Sequence, residues 1–474
     1  MKRIIAAVGV VTVSVVVWVA LASLPADAQL GPGRTTAVTI SGPASVTGTV
    51  AITGPVSATG TVAITPPMPA STPAQESPIA VSQSNLSAFG DLISVGMTPT
   101  FQADFVYGIN VQTGITSVTS TGVVDTVASR GLRIQTGVGV GGVGHYESRR
   151  PASYRPGQGV IARWTAIFAP CVASSLQFAG VGNNDTDGLG LGCNGAAFGI
   201  RHLNAGVSAW TAQSSWNGDK ANGTGASGFT LDPTKGNVYQ ITYPYLGFGN
   251  ITFWVQDSAT SRWLLLHTIR YTNANVTTQL ANPSQDFHVH AENSGNSTNL
   301  TMYVGSVGMF ITGMRAYVGP KWAANNNKTA ITTEANVISL RNATTYNGVP
   351  NHQLIRLRTM SIGYANAGAS IATVRLTLGA TLGGSPSFTT VSGTTANGGV
   401  TITSGQSSAS FDVAGTTVTG GIILQNSVAT NATSYLIDLT PFDIFVGPGE
   451  TLTASGAATS SGQVGIGLTW DEAN

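Results

Sequence analysis

The stretch GVIARWTAIF, residues 159–168, decides how the rest of the chain is read. Arg163 and Thr165 interrupt an apolar run at a spacing of two, the period of a strand with one buried face. ITFWVQDS (251–258), RWLLLHTIRY (262–271) and LTMYVGSVGMFITG (300–313) repeat the pattern. Between such stretches lie Gly/Asn/Asp clusters such as GNNDTDG (182–188) and WNGDKANG (216–223), which are turn chemistry. Beyond residue 335, HQLIRLRTMSIG, SIATVRLTLGA, SYLIDLT and QVGIGLTWDE alternate in the same way, with Trp470 the one tryptophan. No amphipathic helical period follows residue 30. The expected class is all-β, with two β-sandwich domains of jelly-roll or concanavalin-like type.

Composition agrees. Of 474 residues only 9% are charged, and the formal net charge is +1. A nucleic-acid surface needs clustered Lys and Arg, so no nucleic-acid partner is expected. A disordered chain would combine high charge with low hydrophobicity, whereas 42% of this chain is hydrophobic.

The N-terminal 1–29 segment, MKRIIAAVGVVTVSVVVWVALASLPADAQ, has a basic start and an uncharged run over residues 4–24. It reads as a cleaved signal peptide, with Ala26-Asp27-Ala28 as the cleavage site, or as a retained membrane anchor. Residues 30–65 hold a twelve-residue repeat whose copies start at Val38, Val50 and Val62. Units that short bury a core only against copies of themselves, so a homotrimeric stalk is expected. Residues 66–84 begin PPMPASTPAQESP and read as an extended linker. The remaining division is a large sandwich at 85–320, a second linker at 321–334 (KWAANNNKTAITTE), and a C-terminal sandwich at 335–474.

Few residues suggest chemistry. In FHVHAE, His288, His290 and Glu292 project from one face of a strand, as ligands around a metal do; the competing reading is a polar solvent face. Asn183, Asp185 and Asp187, followed by Gly188, match the first half of a calcium loop, but Asn194 stands where the bidentate carboxylate belongs. No cofactor is expected, calcium being the one candidate. Trp210, Trp216, Tyr243 and Tyr245 could stack on sugar rings or pack in a core. Cys171 and Cys193, the only cysteines, can form a disulfide if the chain crosses a membrane. No nucleophile elbow, phosphate loop or zinc-spaced Cys/His set occurs, so no catalytic residue is assigned.

SYRPGQGVIARWTAIF, with the Asp187-Gly188 hairpin and Phe198-Gly199-Ile200, resembles a domain of virion proteins from tailed phages and large DNA viruses. The segment Arg341 to Gly348 (RNATTYNG), Pro448 to Thr453 (PGETLT) and Trp470 to Glu472 resembles a terminal domain of the same kind of protein. The resemblance implies a non-enzymatic virion surface or fibre protein. Its partners would be other virion proteins, itself and host glycans during attachment. The other expectations are a secreted or surface glycan-binding module and, third, a glycan-cleaving enzyme.

Overall fold

In the computed structural model the described residues are 96–473, apart from 184–185, 314–318, 347, 352, 367 and 392–406. The apolar segment, the repeat and the Pro-rich linker lie outside them. Among the described residues no helix is long and apolar enough to cross a membrane.

The fold is all-β. The quoted stretch forms strand Gly159–Ile167, whose residues alternate strictly between half-buried and buried. It lies near the middle of an eight-stranded antiparallel sheet, between Asn237–Pro244 and Thr301–Thr312. A seven-stranded antiparallel sheet packs across it. Its spatial order is Val207–Ala212, Ala197–Asn204, Asp187–Asn194, Ser175–Asn183, Asp286–Asn293, Val143–Ser148 and Gly114–Thr119. Trp164 from the first sheet stacks on Tyr239 at 5.9 Å and meets Phe287 of the second at 6.1 Å. Val289, Ala291, Leu189, Leu191 and Ile200 complete the layer between them.

A second sandwich follows, with its own core around Trp470, Leu357, Val337 and Val374. It pairs a five-stranded sheet with a six-stranded one. At one edge lies Lys321–Ile331, paired along its length with Gly462–Ala473. The expected linker at 321–334 is therefore mostly strand, and the reason is chemical. Asn326 and Lys328 looked like loop residues, yet both point inward: Asn326 Nδ2 donates to Val337 O at 2.7 Å, and Lys328 Nζ donates to Asn336 O and Gly415 O, each at 2.7 Å. Inward-pointing charge is a common guard on an edge strand. The two sandwiches are tied by Arg149 to Glu450 at 2.5 Å and Arg150 to Asp443 at 3.0 Å.

Candidate functional site on the outer face of the seven-stranded sheet

Strand Asp286–Asn293 is an inner strand of the seven-stranded sheet, between Ser175–Asn183 and Val143–Ser148. Its period of two sends Phe287, Val289 and Ala291 into the core, and so sets Asp286, His288, His290 and Glu292 on the opposite face. Register then decides what joins them. His288 lies opposite Glu147 and His290 opposite His145 on strand Val143–Ser148. On the other side His290 faces Phe178 and His288 faces Gly180.

Three imidazoles converge there. One ring nitrogen each of His145, His288 and His290 lies within 4.8 Å of the others. The His145 and His288 rings meet edge to face at 4.4 Å. His145 Nε2 sits 3.3 Å from Glu147 Oε2, and His290 Nε2 sits 3.4 Å from Glu292 Oε2. Each outer imidazole is thus held by a carboxylate, which leaves its Nδ1 for the cluster. His288 is only 2% exposed. Its Nε2 and the Nδ1 of His290 are buried with no hydrogen-bond partner among the described residues.

The electrostatics follow from the crowding. Burial, then the neighbouring His145, His290 and Arg201, hold the His288 pKa well below the usual imidazole range, so its ring is neutral and has a lone pair to give. The hydrogen bond from His290 holds the Glu292 carboxyl below its usual range. Asp286 goes the other way, raised by burial and then by Glu147.

Glycines make room for rings on this face. A Cβ on Gly182 would stand 2.8 Å from His288 Nδ1, one on Gly190 3.3 Å from the Phe178 ring, and one on Gly199 2.6 Å from Trp210 Nε1. The His288, Phe178 and Trp210 rings therefore lie close against the sheet, each in a seat that a larger residue would fill. The Arg201 guanidinium covers Phe178 at 4.3 Å from its ring centre. Trp210 stays half-buried on the edge strand Val207–Ala212.

The expected site residues divide accordingly. His288 and His290 come together, while Glu292 serves as partner to His290. The third member, His145, was missed because it comes from a distant strand. The signal that could have found it is V-G-H-Y-E (143–147), the same His-x-Glu alternation as His290-Ala291-Glu292. For the calcium loop, Asp185 and the Asn183 side chain lie outside the described residues. Asp187 is buried, and its Oδ1 accepts from Ala281 N at 2.7 Å and Ala205 N at 3.4 Å. It pins two loops by their backbone. Trp216 and Tyr243 are core residues at 2% and 0% exposure, so neither can meet a sugar. Tyr245 is half-buried and donates its hydroxyl to Leu280 O at 2.8 Å. Cys171 and Cys193 are joined in a disulfide.

No protein-family model matches the chain, and no characterised protein matches it in sequence. Similar solved structures include a Crh5 transglycosylase, 14% identical over 46% of this chain and 85% of that one, with a TM-score of 0.32. An endo-1,3-beta-glucanase from Streptomyces sioyaensis is 12% identical over 46% and 98%, with a TM-score of 0.33. The Emp47p carbohydrate recognition domain is 12% identical over 46% and 97%, with a TM-score of 0.29. The expectation of a non-enzymatic virion structural protein is corrected here: the similar structures named are a transglycosylase, a glucanase and a carbohydrate recognition domain, and none is a virion protein.

Proposed function

We propose that the chain is a glycan-binding module that holds sugar on the outer face of its seven-stranded sheet. The observation that carries this reading is the pairing of a half-buried indole, Trp210 in its glycine seat, with charged groups on the same face. A sugar ring presents apolar C–H patches and a rim of hydroxyls. An indole offers the flat apolar surface, Glu147 and Glu292 accept hydroxyl protons, and Arg201 donates. Binding sites of this class combine an apolar surface with a few placed polar groups.

The test is a glycan array followed by calorimetry on the best oligosaccharide, using the full chain and Trp210→Ala. Saturable binding that the substitution weakens supports the reading. Undiminished binding in the variant, or no binding to any glycan, overturns it. Release of free sugar from the bound oligosaccharide would make the same face a catalytic one.

A further inference from the structure

We propose that His145, His288 and His290 form a site for one divalent transition-metal ion of the zinc class, with Glu147 and Glu292 orienting the two outer imidazoles. The site lies on the proposed sugar face but does not depend on that reading, because it rests on the three imidazoles and their own carboxylate partners.

The chain has six histidines, and three of them meet at one point on two adjacent inner strands of one sheet. His288 is 2% exposed with Nε2 unpartnered, and the Nδ1 of His290 is buried and unpartnered beside it. A buried nitrogen without a partner is destabilising, so two in one cluster call for a ligand that satisfies both. A water or an ammonium group could donate to one lone pair. A metal ion accepts three lone pairs at once, which is the number that these rings present.

The surroundings have the form that metal sites use. Metal-bound histidines commonly donate their other N–H to a carboxylate, which fixes tautomer and ring angle. Here Glu147 stands 3.3 Å from His145 Nε2 and Glu292 stands 3.4 Å from His290 Nε2. Both arrangements leave Nδ1 to bind, while His288 offers Nε2. A tetrahedral ion with bonds of about 2.0–2.1 Å places its ligand atoms about 3.3 Å apart. The candidate nitrogens lie within 4.8 Å of one another, so binding an ion requires the rings to draw together by up to about 1.5 Å. Three imidazole ligands and no thiolate suit zinc, copper, nickel or cobalt rather than calcium or magnesium. The two cysteines cannot compete, being joined to each other. Three protein ligands leave a tetrahedral ion a fourth position for water or a ligand hydroxyl.

The test uses the full chain, produced without a polyhistidine tag and stripped with chelator. Zinc is titrated by calorimetry, bound metal is counted by mass spectrometry, and cobalt is added as a spectroscopic probe. The expected result is one zinc per chain and a visible tetrahedral cobalt band. Both are lost in His290→Gln and in His145→Gln, which is half-buried and so less exposed to misfolding than a change at His288. Glu147→Gln should keep the stoichiometry and weaken affinity about 10–100-fold. The proposal is overturned if wild-type chain takes up no stoichiometric zinc, or if either histidine variant binds it as the wild type does.

Discussion

Removing the disulfide should unfold the first sandwich well before the second. Cys171 precedes strand Ser175–Asn183 and Cys193 lies near the end of Asp187–Asn194, with 22 residues of sequence separation and Cα atoms 5.4 Å apart. Closing a loop of that length in the unfolded chain removes about 11 cal/mol/K, worth about 3.4 kcal/mol at 25 °C on the chain-entropy account. Cys193 is fully buried, so the substitution Cys171→Ala with Cys193→Ala also removes a sulfur from the core. At about 2–4 °C per kcal/mol for a sandwich of this size, the melting point should fall by about 7–14 °C. The assay is guanidinium unfolding followed by tryptophan fluorescence, since Trp164 and Trp216 are both buried in this sandwich. Because the loss acts on the unfolded state, the freed chain should expose more surface and the denaturant slope should rise. A loss under about 1 kcal/mol with an unchanged slope would refute the loop-entropy reasoning for this bridge.

The other expectations concern single side chains. Trp210→Ala should weaken glycan binding about tenfold or more, roughly 1.4 kcal/mol, with an unchanged melting curve because the indole sits on an edge strand. Glu472 is 1% exposed and accepts from Ser407 Oγ, from Ser408 N at 3.0 Å and from Trp470 Nε1 at 3.1 Å. Glu472→Gln turns an N–H₂ toward those donors and should destabilise the second sandwich by about 2–3 kcal/mol in urea unfolding. Burial lowers the pKa of both His202 and His267, and His267 Nδ1 accepts from Asn217 N at 3.2 Å, which requires it neutral. Their folded-state pKa values lie below the unfolded value of about 6.5, so their contribution is complete above that pH and is lost as pH falls through the folded values. Melting points taken from pH 7.5 down to 5 should therefore drop, and His267→Gln should flatten the drop.

Alternation made the fold legible. GVIARWTAIF is a buried strand because its apolar positions repeat at two, and the structure alternates burial residue by residue along it. KWAANNNKTAI has the same period with Asn and Lys in the inward positions, so hydropathy hides a strand whose polar atoms are satisfied by backbone carbonyls. For the site, period two was enough to align His288, His290 and Glu292. It could not supply His145, because cross-strand register is set by long-range pairing rather than by local pattern. Single aromatics were the least legible. Nothing local distinguishes Trp210, on the outer face, from Trp216, whose ring turns into the core beyond a short 3₁₀ turn at Gln213–Ser215.

The outer face also explains why so many glycines stand in mid-strand, where they weaken a sheet. Gly182, Gly190 and Gly199 each seat a ring, so the residues that cost strand stability are those that let His288, Phe178 and Trp210 lie close to the backbone. A second cost sits on top, in the two unpartnered histidine nitrogens. A fold that keeps both holds a face built for something other than stability. Metal should return part of the cost: zinc at 100 times its dissociation constant stabilises the state that binds it by about 2.7 kcal/mol. At about 2–4 °C per kcal/mol the first sandwich should then melt about 5–11 °C higher. The second sandwich, which holds none of the three histidines, should be unmoved. An equal rise in His145→Gln would place the stabilising ion elsewhere and leave the glycine seats with the sugar face alone.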